Sequence, residues 1–248
     1  MKIFAVIILA LLFVSCSNQK KEQLNTLEDI LQAHLKAIGS DNIENMQTML
    51  HRDRLSTTPD GKAASEIEVM IKKPDNYYYK SVDAEDTIII GNFKNKNWAY
   101  IQKEFKQRPA DKNNQAAFNM YAYGFAPLYY AKLNGYLMEY TGKTEFNGKD
   151  LYRIKVTQPK NGDDEGDNIF YYDIDPDDFM IVRMANNGIT QYYSDFKDAK
   201  GIKYAAKISS DAPGVKPDHY FRGEIVEFKV DIELPDVLFD PSSVLLKK

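Results

Sequence analysis

A thiol can attack, ligate a metal or accept a lipid, and this 248-residue chain has a single one, Cys16. Lys2 opens the chain, a twelve-residue apolar run follows from Ile3 to Val14, and small Ser15 stands directly before the cysteine. Polar Ser17, Asn18, Gln19, Lys20 and Lys21 come next. A positive start, a short greasy middle and a small residue at the cut describe an export signal. The pattern predicts cleavage before Cys16 and diacylation of its sulfur. Phe13 occupies the third position before the cysteine, where such signals usually carry leucine. The alternatives are a plain secretory signal with an incidental cysteine, or a spanning anchor. For the latter the run is too short.

Other reactive groups are scattered. His34, His51 and His219 have no partner at metal-ligand spacing, which a zinc site would require. His34 lies on an apolar helix face and reads as a core histidine. Asp173, Asp175, Asp177 and Asp178 resemble a calcium loop, but its sixth position is Asp178 instead of glycine and its twelfth is Met184 instead of glutamate. With Asp163, Asp164, Glu165 and Asp167 they read as polar turn chemistry. The chain contains no nucleophile elbow, phosphate loop or dinucleotide fingerprint. Among 36 acidic residues nothing selects a catalytic pair. We therefore expect no enzyme activity, no metal and no cofactor.

The elements that position the remaining residues are legible. Leu27, Ile30, Leu31, His34, Leu35 and Ile38 share one helical face. Thr26 with Asp29 forms a capping start, and Gly39 supplies the stop. A second helical stretch is predicted near Ile43 to Leu50. Strands then follow: Ile67, Val69 and Ile71 alternate with polar neighbours; Tyr77 to Val82, Thr87 to Phe93 and Trp98 to Ile101 continue the pattern. Asn147-Gly148 is a strong hairpin signal between Leu137–Phe146 and a strand holding Leu151, Ile154 and Val156. Ile169 to Ile174 and Phe179 to Met184 flank an acidic turn. In the last strand, Ile225 or Val226, Phe228, Val230, Ile232 and Leu234 are expected to face one way. Gln115 to Asn134 interrupts this rhythm as two apolar helices hinged at Gly124-Phe125-Ala126-Pro127, with Pro127 in a first turn.

Composition bounds the rest. The formal charge of −4 becomes −5 once Lys2 is cleaved away, and an acidic chain lacks the footprint for nucleic acid. With one cysteine, disulfides within the chain are excluded, so stability must come from apolar burial. Seventeen tyrosines and thirteen phenylalanines supply it, in a form that suits strands.

In order along the chain come Ala37-Ile38-Gly39, Lys73-Pro74-Asp75 before a tyrosine-rich strand, Asn97-Trp98, an apolar helical insert ending at Leu128 to Gly135, and Gly142-Lys143 with Asn147-Gly148-Lys149. Tyr171-Tyr172-Asp173-Ile174-Asp175-Pro176, Arg183 and Leu238-Phe239-Asp240-Pro241 follow. This series resembles the outer-membrane lipoprotein-sorting-protein-like family, related in fold to the carriers LolA and LolB, over roughly Leu24 to Pro241. Gly39-Ser40 stands where related sequences often carry two glycines, and no counterpart of the exposed apolar loop of the lipidated Lol receptor is found.

The resemblance implies a mainly β, unclosed antiparallel half-barrel, with an N-terminal helix and an apolar helical insert (about 114–134) covering its concave face. Residues 1–15 would be the signal, 16–24 a tether and 25–248 one domain. Ile67, Val69, Ile71, Tyr79, Trp98, Tyr100, Phe118, Tyr121, Phe125 and Tyr129 are expected to line a cavity for an acyl chain or other hydrophobic ligand. The expected setting is the periplasmic face of an outer membrane, reached through the lipid on Cys16. A partner protein covering the concavity is the alternative occupant.

Overall fold

Period-two alternation gives strands with one apolar face, and an apolar face must find a cover. The computed structural model describes residues 24–56, 65–83, 87–101, 104–107, 114–159, 167–210 and 221–245. The signal, Cys16 and all of the tether but Leu24 lie outside the described residues.

Helix α1 (Leu27–Ala37) starts as its sequence dictates: the Thr26 hydroxyl oxygen accepts the Asp29 N–H at 3.1 Å. It stops at Gly39, whose φ of 73° only glycine adopts cheaply. A Cβ there would lie 1.9 Å from the Gly201 carbonyl oxygen, so the close approach also demands glycine. Helix α2 (Ser40–Asn45) is one short turn. The second predicted helix is therefore shorter than expected. Thr48 to Leu50 already belong to strand β1 (Thr48–Ser56), because β1 pairs with strands on both sides.

Strands β2 (Ser65–Lys72), β3 (Asn76–Asp83), β4 (Thr87–Phe93), β5 (Lys96–Ile101) and β6 (Glu104–Gln107) form one meander beside β1. A second meander runs through β7 (Leu137–Phe146), β8 (Lys149–Gln158), β9 (Asn168–Ile174), β10 (Ile181–Asn186), β11 (Ile189–Ala199), β12 (Ile202–Ser210) and β13 (Phe221–Val230). The two join at the centre, where β13 pairs antiparallel with β1. The order is β6-β5-β4-β3-β2-β1-β13-β12-β11-β10-β9-β8-β7, one unclosed antiparallel sheet of thirteen strands. The mainly β half-barrel is the observed fold.

This order has a topological result. The strands on either side of the helical insert, β6 and β7, are the two outer edges of the sheet. Helices α3 (Asn114–Tyr123) and α4 (Pro127–Leu133) therefore connect one edge to the other, and they do so across the concave face.

Two expectations are corrected at the end of the chain. The last strand stops at Val230, and Asp231 takes a φ of 49°. Its backbone N–H donates to Thr48 O at 2.9 Å and its carboxylate accepts the Gln47 N–H at 2.8 Å. This kink carries Ile232 and Leu234 over to the convex face, where they pack with Leu50, Met70, Tyr78, Ile89 and Trp98. Tyr100 belongs to the same convex cluster. In the second meander the convex side holds Asp173, fully buried between Arg153 at 2.7 Å and Arg183 at 2.5 Å. Both bonds are charge-assisted, and the Asp173 bond is the main reason the Arg153 guanidinium is held above its ordinary pKa.

Candidate functional site

The inner wall follows from the ladder registers. On β1, Met49, His51, Asp53 and Leu55 face inward, because His51 pairs with Val69 and Phe228, and Asp53 with Ile67 and Ile225. The row continues through Ile71, Val69 and Ile67 on β2 to Tyr77 and Tyr79 on β3. Of these, Met49, Ile67, Val69, Ile71, Tyr77 and Tyr79 form one core with Ile202, Tyr204, Phe228 and Val230. A second inner cluster, around Tyr152, Ile154, Val156, Tyr172 and Ile174, lies against Ile30 of α1 and Leu128 of α4.

The insert lies in this concavity. Tyr121 places its ring 5.2 Å from that of Tyr77 and 5.1 Å from that of Tyr79. Phe125 meets Phe228 edge-on at 4.9 Å, and Phe118 is buried in the same core. Tyr129 packs edge-on against Tyr123 at 5.3 Å. Burial pushes the Tyr121 and Tyr123 phenols up to about 12, so both remain neutral donors at physiological pH. The concavity is thus self-filled by aromatic rings. The joint between the helices is tight: a Cβ on Gly124 would come 2.7 Å from the Met120 carbonyl oxygen.

Of the ten residues expected to line the cavity, eight come together: Ile67, Val69, Ile71, Tyr79, Phe118, Tyr121, Phe125 and Tyr129. Trp98 and Tyr100 do not. Trp98 pairs with Gly91 and Tyr100 with Ile89, on the outer face. The indole needs that glycine, because a Cβ on Gly91 would stand 2.5 Å from its ring. Its Nε1–H donates to the Phe239 carbonyl at 3.0 Å, under the C-terminal segment. Conversely, sequence reasoning missed His51 and Asp53. The signal was the alternation Met49-His51-Asp53-Leu55, hidden by reading Ile43 to Leu50 as helix.

His34 is a core histidine, as its helix position predicts. It is 2% exposed, its Nδ1–H donates to the Phe179 carbonyl at 2.7 Å, and buried Nε2 has no partner among the described residues. Burial lowers its pKa from 6.5 to about 4, the Phe179 bond opposing. The unfolded chain therefore takes up a proton near pH 6.5 that the folded chain refuses until about pH 4. Stability is full above that window and falls as the pH drops through it. The total loss is about 3 kcal/mol. Urea titrations at pH 7.5 and 4.5 should show His34→Leu losing about 2 kcal/mol less than the parent between the two pH values. Equal losses would refute the assignment.

The acidic turn engages protein groups. Lys149 bridges Asp175, at 2.6 Å, and Asp177, while Asp178 accepts the Met180 N–H at 2.9 Å. No group of three metal-ligating side chains forms among the described residues.

No family model matches the chain, and no curated protein matches it by sequence. Solved structures do match. A DUF1329-family protein from Desulfovibrio piger superposes with a TM-score of 0.56 at 11% identity, covering 89% of this chain and 99% of that one. A LolA-superfamily protein from Nitrosomonas europaea gives 0.52 at 13% identity, over 89% and 100%. A domain assigned to outer-membrane lipoprotein sorting, from Vibrio parahaemolyticus, gives 0.51 at 9% identity, over 89% and 99%. At these identities the likeness establishes a shared fold.

Proposed function

We propose that this chain, with the fold of the LolA superfamily, is a lipid-anchored envelope protein that binds a hydrophobic ligand without catalysis. The mature chain begins at Cys16, residues 25–248 act as one unit, and the anchor holds it on the periplasmic face of the outer membrane. The observation that carries this reading is an aromatic and aliphatic inner wall spanned by an insert that forms no part of the sheet. An acyl chain that replaces the insert rings keeps the wall dry, and each buried methylene contributes about 0.8 kcal/mol. Sorting of lipoproteins or lipids to the outer membrane is the role such binding would serve.

Native mass spectrometry of the mature chain with Cys16→Ser, followed by organic extraction, tests this. We expect stoichiometric co-purified or added single-chain lipid, lost when Phe125→Lys places a charge against Phe228. A clean apo mass with no uptake defeats it. That result would favour a second reading, supported by the filled concavity: recognition of a partner protein through edges and rims, in a non-enzymatic sensing role.

A further inference from the structure

The concave wall of β1–β5, β12 and β13 carries hydrocarbon, aromatic rings and a few small polar groups, and it bears no lysine or arginine. Inside the rim, where Asp83 ends β3, one pair breaks that pattern. His51 Nε2 and Asp53 Oδ1 lie 2.6 Å apart. Both atoms are buried, and neither has another partner among the described residues. Their cross-strand neighbours are Val69, Phe228, Ile67 and Ile225, so hydrocarbon flanks them on both sides. The His51 ring sits edge-on to Phe228, 5.5 Å away, and Phe125 of the insert packs on that same Phe228. The pair therefore marks the border between the plugged depth and the rim formed by Leu55, Ser65 and Asp83. Its side chains remain 13% and 20% exposed, so its outer side opens on solvent.

Resting on the ligand-binding reading, we infer that His51 and Asp53 form the head-group site of the concavity, selecting single-chain amphiphiles whose head donates hydrogen bonds and carries no negative charge. Asp53 is an acceptor whose lone pairs are only partly used, and a hydroxyl or amide head completes them. A carboxylate head would place a second negative charge beside Asp53, on a face of β1, β2, β3 and β13 where the registers put no lysine or arginine; Arg52, Arg54 and Lys80 belong to the opposite face. Like charges in a dry site repel strongly. The tail would run inward along Val69 and Phe228 as the insert gives way.

The test compares 1-monolauroylglycerol with dodecanoate, each below its micellar concentration, on the mature chain carrying Cys16→Ser at neutral pH. The parent should bind the glyceride roughly tenfold more tightly than the carboxylate. Asp53→Asn should narrow that ratio by about fivefold, chiefly by admitting dodecanoate, while Asp53→Glu retains it. Equal affinity of the parent for both probes, or an unchanged ratio in Asp53→Asn with far-UV dichroism intact, overturns this proposal alone. Uptake of neither probe by the parent overturns the ligand-binding reading and this proposal with it.

Discussion

Trp98→Ala lowers the free energy of unfolding by about 4 kcal/mol and leaves ligand uptake by the folded fraction unchanged. The indole is 1% exposed, lies flat on Gly91, and holds the C-terminal segment through Phe239. Truncation removes the largest side chain of the convex cluster, leaves a cavity beneath Leu234 and Phe239, and strands a buried carbonyl. None of these effects reaches the concave wall, because the sheet itself stands between. Urea unfolding gives the first quantity, and native mass spectrometry of the folded population gives the second. Uptake abolished at full folding would mean that the outer cluster communicates with the concavity.

Locking the insert to the wall should be nearly as consequential. The chain has no cysteine besides Cys16, so a pair introduced as Tyr79→Cys and Tyr121→Cys in the Cys16→Ser background reacts alone. The two native rings are 5.1 Å apart, within reach of a short bismaleimide. If a ligand enters by displacing α3 and α4, the cross-linked chain loses uptake by about tenfold or more, and the same pair singly capped does not. Wild-type uptake in the locked chain would show that the insert stays in place during binding. The ligand would then have to occupy the rim.

Local chemistry made much of this fold readable in advance. The Thr26 cap, the Gly39 stop and the Asn147-Gly148 hairpin depend on residues close in sequence, and each stands where it was expected. Faces of strands are a different matter. Alternation says that Trp98 and Tyr100 point the same way, but not which way, since both faces of this sheet are partly covered. Gly91 held the missing information: a strand glycine opposite a bulky aromatic leaves the space in which an indole can lie. The alternation through Ile232 and Leu234 was equally misleading. Asp231, held by Gln47 and Thr48 from a distant part of the chain, turns the backbone over and exchanges the faces. His51 and Asp53 escaped because three residues of β1 look helical in isolation and become a strand only through two long-range pairings.

Helix α1 also sets where the described chain begins relative to the rim. Leu24 and Leu27 pack on the same inner cluster as Tyr136 and Met138, which stand at the strand ends that form the rim, while His34 reaches the Phe179 turn at the opposite end. Seven residues, and so eight Cα-to-Cα steps, lie between Cys16 and Leu24, a leash of about 26–29 Å when fully extended. A chain moored by that thiol would have its rim nearer the attachment point than its α2 end. A guest passing between bilayer and concavity would have only the length of this leash to cross.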